Sequence, residues 1–281
     1  MNDIFQIGDF CFRLACSDGL LPPPNFMQFA VERGEPAYSY TLRLAERLPE
    51  PEGKPVAGRP DMKVFSAGGL ESRLIGIKGG GFYACYRERS ETEAEILYAG
   101  APERLGIDPV FCSLLAPERR LLPRGGLILH CAYVRWRGKA LLFSAPSETG
   151  KTTQATLWEQ YRGAETINGD RALLQQAQGQ WLARGWPVCG SSGVCRREDT
   201  PVGALVMLSQ SGENRAERLS PAKAFARLYS QITVNGWDAP SCKRAMDLIE
   251  TLTGSVPVFH LGCTISREAV QCLENAVSAY F

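Results

Sequence analysis

Apolar and polar side chains alternate through FCFRLAC (10–16) and AYSYTLRLAE (37–46). A period of two is that of a strand with one buried face. SRLIGI (72–77) and FYACYRE (82–88) repeat the pattern on either side of Lys78-Gly79-Gly80-Gly81, whose glycines supply the positive φ of a tight hairpin. Between these strands LPEPEGKPVAGRPD (48–61) holds four prolines and two glycines, which predicts an exposed loop. Residues 1–107 therefore read as a β-rich accessory domain, with recognition or oligomerisation, including homo-oligomerisation, as its candidate roles.

The pattern changes at Asp108-Pro109, where an N-cap and a proline at the first helical position predict a helix interrupted at Pro117. LILHCAYVRW (127–136) and ALLFSA (140–145) then form an antiparallel hairpin about Arg137-Gly138-Lys139. TTQATLWEQY (152–161) is a helix without internal Gly or Pro. AETIN (164–168) leads through Gly169-Asp170 into a second hairpin, RALLQQ with QWLARG. A buried strand (202–210), a helix capped by Ser220-Pro221, a helix over 242–253, a short strand (256–262) and a last helix from Ser266 complete residues 108–281.

Composition narrows the classes. The 281 residues are 44% hydrophobic with a net charge of +1, enough apolar content for one large or two ordinary cores. So balanced a charge supplies no general attraction to nucleic acid or to a membrane surface, and any phosphate must be held locally. Asp3, Asp9 and Asp18 stand where a signal peptide would be apolar, and no run approaches eighteen apolar residues, so the expected location is cytoplasmic. The ten cysteines are scattered, most of them inside apolar runs, and read as reduced thiols. No CxxC pair occurs and there are two histidines, which leaves no standard zinc spacing.

The candidate chemistry lies in SAPSETGKTT (144–153). A phosphate cradle needs inward-turned backbone N–H groups, a lysine spanning the outer phosphates and a hydroxyl directly after it for a metal. Gly150-Lys151-Thr152 meets these needs between an apolar strand and a helix, in a chain with only seven lysines among its 31 basic residues. Ser147, Glu148, Thr149 and Thr153 complete the phosphate-binding set. Ala145 and Glu148 occupy positions that usually carry glycine: alanine is tolerated at negative φ, whereas a carboxylate beside triphosphate must face solvent, a metal or the second substrate. A helix start without a ligand is the alternative reading. Asp170, eighteen residues after Thr152, is placed to bind the metal or act as base, or else only to cap a turn.

The hairpin, loop and INGDRALL together resemble the kinase domain of the HPr kinase/phosphorylase family, which is related to PEP carboxykinases. The resemblance covers about residues 120–275 and is strongest over 127–174. It implies an α/β architecture, α+β with a mixed sheet, in which a P-loop domain (108–281) follows the smaller β-rich one (1–107). It also implies an enzyme that uses ATP, or another nucleoside triphosphate, and Mg²⁺ to phosphorylate a hydroxyl of a protein, peptide or small molecule. In that scheme Lys151 holds the β- and γ-phosphates, Thr152 and Asp170 hold Mg²⁺, and His130 lies near the reacting groups, though a lone His between Leu129 and Cys131 is equally an interior residue. The family carries paired aspartates where this chain has Gly169-Asp170, so the base is Asp170 in both roles or Glu148. A catalytically weak nucleotide sensor or accessory subunit, and a PEP-carboxykinase-like enzyme, are the alternatives.

GWPVCGSSGVCRR (185–197) offers the N–H groups and hydroxyls of Gly190-Ser191-Ser192-Gly193, followed by Arg196 and Arg197, for a second anion. Arg197 is the catalytic candidate there, and an ordinary exposed loop is the alternative. Arg171 and Arg184 read as weaker candidates. Trp136, Trp158 and Trp186 read as packing.

Overall fold

The computed structural model describes residues 1–17 and 19–281. The chain divides into two compact units, Met1–Pro117 and Glu118–Phe281. The boundary lies ten residues beyond the change of pattern at Asp108, because the helix that begins there packs within the first unit. Its Phe111 ring meets Phe26 at 4.9 Å, and Asn25 Nδ2 donates to Asp108 Oδ2 at 2.7 Å.

The first unit contains β1 (Asn2–Ile7), β2 (Phe10–Cys16), α1 (Pro24–Met27), β3 (Ala30–Val31), β4 (Tyr38–Leu44), β5 (Lys54–Arg59), β6 (Met62–Ala67), β7 (Leu70–Ile77), β8 (Gly81–Glu88), β9 (Glu93–Tyr98) and α2 (Asp108–Leu114). The nine strands form one sheet in the order β3-β1-β2-β4-β9-β8-β7-β6-β5. Alternation decides which side chains are covered: Phe10, Phe12, Leu14 and Cys16 of β2 are buried, and Cys11, Arg13 and Ala15 between them are less so. The predicted loop 48–61 is corrected in part. Most of its residues are exposed, yet β5 pairs with β6 as the last strand of the sheet, a position that tolerates Pro55 because no further strand needs its missing N–H.

The second unit begins with α3 (Glu118–Leu121), β10 (Leu127–Trp136), β11 (Lys139–Ser144), α4 (Lys151–Arg162), β12 (Glu165–Asn168), β13 (Arg171–Ala177) and β14 (Gln180–Arg184). It ends with β15 (Asp199–Gln210), β16 (Arg215–Arg218), α5 (Pro221–Tyr229), α6 (Ala239–Ser255), β17 (Val258–Cys263) and α7 (Arg267–Val277). Strands β11, β15 and β17 run parallel side by side, while β10 and β16 flank them antiparallel. The second unit is thus mixed α/β, built on a mixed sheet. Pairing of β10 with β13, β13 with β14, β14 with β15 and β15 with β11 closes a circuit back to β10.

Alternating side chains feed two cores. Leu129, Tyr133, Leu142, Leu205 and Met207 pack with residues of α5 and α6, such as Leu228 and Ile249. Val134, Phe143, Val206 and Leu261 pack with Trp158 of α4 and Leu273 of α7. Trp136 and Trp158 meet edge to face at 5.0 Å, so their role is packing.

Strand β10 positions the candidate site, because its two halves have different partners. Residues Tyr133–Arg135 pair with β12, and Leu127–His130 pair with β13. Gly169-Asp170 is the step between those two strands, and Cys131 N–H donates to Asp170 O at 3.0 Å. On its other edge Cys131 pairs with Ser144, the last residue of β11 before the loop, and Ser144 Oγ donates to His130 O at 2.8 Å. One short stretch of β10 therefore carries the loop on one flank and Asp170 on the other.

Candidate functional site

The loop leaves β11 at Ala145 and enters α4 at Lys151. Ala145 is buried and keeps ordinary negative φ, whereas Glu148 has φ +65° and Gly150, the N-cap of α4, has φ +109°. Left-handed residues at 148 and 150, with Thr149 between them outside that region, are a backbone feature that anion nests share. A left-handed non-glycine residue costs about 1–2 kcal/mol. The loop thus keeps the glycine conformation at 148 without the glycine. The Glu148 side chain is exposed, which answers the repulsion that sequence alone raised, and Gln210 Nε2 at the end of β15 donates to its carbonyl at 3.4 Å.

Lys151 curls back over the loop. Its Nζ donates to the carbonyls of Ala145 at 3.0 Å and Pro146 at 3.1 Å, and the residue is 7% exposed. Among the described residues no carboxylate lies within ion-pair distance of it. Burial pushes its pKa down, and the charge of Asp170 acts the other way. Ser147 and Thr152 are exposed, and Thr149, Gly150 and Thr153 are half-buried along the rim.

Asp170 is fixed from behind. Asn168, fully buried, accepts at Oδ1 from the N–H groups of Asp170 and Arg171, both at 2.9 Å, and donates from Nδ2 to Trp186 O at 2.8 Å. This Asx-type turn holds the step between β12 and β13. The Asp170 carboxylate faces His130 Nε2 at 3.7 Å and Arg171 Nε at 3.1 Å. Arg171 also donates from Nη1 to Thr233 Oγ1 at 3.1 Å. Residues 231–233 run beside the first half of β10, where His130 N–H donates to Gln231 O at 2.9 Å and Leu129 pairs with Ile232. The His130 pKa is pushed down by burial first, then by the positive charge of Lys151, with Asp170 opposing. Those electrostatic effects place His130, Lys151, Asp170 and Arg171 in one neighbourhood.

Gly169 is required by its surroundings. A Cβ there would fall within 3.0 Å of both Cβ and Oγ of Ser192. Ser192 stands in the turn Gly190–Ser192, and its hydroxyl donates to Cys189 O at 2.8 Å and accepts from Val194 N–H at 3.1 Å. Gly190 in turn abuts Asp170, since a Cβ on it would lie 3.0 Å from the Asp170 Cβ. The 190–193 segment is therefore the third wall of the cluster.

The arginines that follow are arranged differently. Arg196 is exposed and pairs with Glu165, which also pairs with Arg135, and Arg135 with Glu198. This chain of ion pairs commits Arg196 to the start of β12. Arg197 is exposed with its backbone against Gly185. Arg184 pairs with Asp199 at 3.0 Å. Arg171, ranked low on sequence, is the guanidinium set against Asp170. Asn168, Gln231 and Thr233 are not among the candidates that the sequence offers, whereas Ser192 belongs to the 190–193 segment that it does. Of the first three only Asn168 carried a local signal, the Asn-Gly pair of a turn.

Among the described residues no three His, Cys, Asp or Glu side chains cluster as a metal site, and no helix is long and apolar enough to cross a membrane. No curated protein matches the chain. Among solved structures it is similar to the Hpr(Ser) kinase/phosphatase from Coxiella burnetii, at 12% identity and a TM-score of 0.32 over 54% of this chain and 93% of that one. The family model described as SynChlorMet cassette protein ScmC matches residues 112–277, a span that takes in the loop, Asp170, the 190–193 turn and all but the last four residues of the second unit. That match exceeds half of the chain, and by it the chain belongs to the ScmC family.

Proposed function

We propose that the second unit is a nucleotide-dependent phosphotransferase that moves the γ-phosphoryl group of ATP to a hydroxyl of a peptide, protein or small molecule. The observation that carries this reading is the Lys151 ammonium, buried in a loop of nest-like conformation with two carbonyl oxygens as its partners. A buried cation without a counter-ion is costly, and a phosphate seated at the start of α4 relieves that cost.

Lys151 would turn from the loop carbonyls to the outer phosphates, and the N–H groups of residues 147–151 would line the nucleotide. The Thr152 hydroxyl and the Asp170 carboxylate are the oxygen ligands that suit Mg²⁺, which leaves its remaining positions to water and phosphate. Bound there, Mg²⁺ would neutralise charge that develops on the phosphates. Asp170 would orient the acceptor hydroxyl and take its proton. Arg171 and the Asn168 turn would hold that carboxylate in place, and neutral His130 would offer Nε2 beside it. In this scheme Glu148 faces solvent and is not the base. Arg197 has no assigned role.

A second reading, a nucleotide sensor without transfer, has one observation in its favour: Ser192 leaves no room for a side chain at 169, so a single aspartate serves the step. Calorimetric titration of the full chain with a non-hydrolysable ATP analogue, with and without Mg²⁺, tests what both readings share. Micromolar, metal-dependent binding that weakens at least about tenfold in Lys151→Ala supports it, and no binding at millimolar nucleotide refutes it. Phosphate transfer to a hydroxyl acceptor, lost in Asp170→Asn, then separates the enzyme from the sensor.

A further inference from the structure

The second histidine of the chain has a serine and a carboxylate of its own, on the sheet face opposite the one that α4 covers. His260 of β17 meets Ser209 of β15, with Ser209 Oγ 2.9 Å from His260 Nε2. On its other side His260 Nδ1 lies 3.7 Å from Glu217 Oε1. Register explains the arrangement. Glu217 is the cross-strand partner of His260, and Ser209 pairs with Gly262, two residues further along β17. Alternation puts Leu205, Met207 and Ser209 on the same face as Val258 and His260, the face packed by α5 and α6. Lys151 belongs to α4, which packs on the opposite face.

We propose that Ser209, His260 and Glu217 form a second reactive centre, in which Ser209 is a base-activated nucleophile toward an activated carbonyl such as an ester or thioester. The order of atoms is that of a relay. The negative charge of Glu217, 3.7 Å from Nδ1, favours the tautomer with a proton there, which leaves the Nε2 lone pair for the Ser209 O–H. Burial and the positive charge of Arg227 on α5 favour the neutral imidazole, and Glu217 opposes them more weakly. Ser209 and His260 are half-buried and Glu217 is exposed, so the three are reachable. Opposite Ser209 stands Gly262, where a Cβ would lie 3.7 Å from Ser209 Oγ and 3.3 Å from Ser211 Cβ. Gly262 therefore puts no side chain of its own beside the Ser209 hydroxyl.

In the reaction the Ser209 oxygen bonds to the carbonyl carbon as its proton passes to His260 Nε2. The bond from that carbon to the leaving oxygen or sulfur breaks, and the leaving group takes the proton. Water, deprotonated by the same nitrogen, then cleaves the seryl ester to the free acid and restores Ser209.

The test is a fluorophosphonate probe, which reacts with activated serines, applied to the intact protein and followed by whole-protein mass and peptide mapping. One adduct is expected, at Ser209, absent in Ser209→Ala and formed about 100-fold more slowly in His260→Gln. The labelling rate should rise with pH through a midpoint below 6.5, the ordinary histidine value, because the neutral base is required. A serine that only braces the sheet would show no such profile. No adduct at Ser209 in the folded wild-type chain overturns the proposal, as does equal labelling of His260→Gln. Neither outcome depends on nucleotide binding, so this centre and the phosphate loop stand or fall separately.

Discussion

Gly169 and Ser192 occupy one volume between them, and a double-mutant cycle measures that dependence. In Gly169→Ala the new Cβ falls within 3.0 Å of both side-chain heavy atoms of Ser192. One of these is the Ser192 Cβ, which is fixed to the backbone, so a change of rotamer cannot make room and the 190–193 turn must shift. That shift strains the hydroxyl bonds from Ser192 to Cys189 O and from Val194 N–H, and presses Gly190 on Asp170. Overpacking of this kind costs about 1–3 kcal/mol. Gly169 has no positive φ, so alanine brings no backbone penalty of its own.

With Ser192→Gly the two closest atoms are gone and Cys189 O, at 3.3 Å, is the nearest remaining neighbour. The same alanine should then be nearly neutral. The coupling between the two changes should be about 1–2 kcal/mol, favourable to the double mutant, as for residues in direct contact. In thermal unfolding of the four proteins each kcal/mol moves the midpoint of a unit of this size by about 2–4 °C. Additivity within about 0.5 kcal/mol would refute the claim that Ser192 excludes a side chain at 169.

Three further outcomes follow from the site. Glu148→Gly removes a left-handed strain of about 1–2 kcal/mol against an unfolded-state entropy cost of about 0.4–1 kcal/mol. It should raise the melting midpoint slightly and tighten nucleotide binding about twofold by removing a negative charge; a lower midpoint would mean that Glu148 is held by favourable contacts. Asn168→Ala leaves two N–H groups and one carbonyl without their partner and should cost about 3 kcal/mol in urea denaturation, and a loss below about 1 kcal/mol would show that the turn holds without it. His130 and His260 both have pKa values below the ordinary 6.5 in the folded chain, so the unfolded chain binds more protons just below that pH. Stability should be level above 6.5 and fall as pH drops beneath it, less steeply in His130→Gln; a flat urea midpoint between pH 7.5 and 5.5 would contradict the direction of both shifts.

Much of the second unit could be read from the chain because its signals are local. The apolar runs of β10 and β11, the turn at Arg137-Gly138, the N-caps of α5 and α7 and the GKT that opens α4 each depend on residues a few positions apart. The same holds for the position of Lys151 and Thr152 at the start of α4, which follows from the turn into a helix. The first unit was less legible at its edge, where β5 has the composition of a loop. It becomes a strand only because β6 lies beside it, a pairing that no residue of β5 announces.

Sequence by itself determined the order and type of most elements and the placing of the SAPSETGKTT loop between a strand and a helix, since both rest on periodicity and on short-range turn chemistry. Tertiary structure decided which groups meet. It brought Asp170 against His130 through the two-partner pairing of β10, promoted Arg171 over Arg196 and made Gly169 obligatory through Ser192. It also turned Glu148 to solvent in a backbone conformation made for glycine, and joined Ser209, Glu217 and His260 from three strands. Such contacts depend on register and on which strands are neighbours, and both are settled by packing across long separations in the chain.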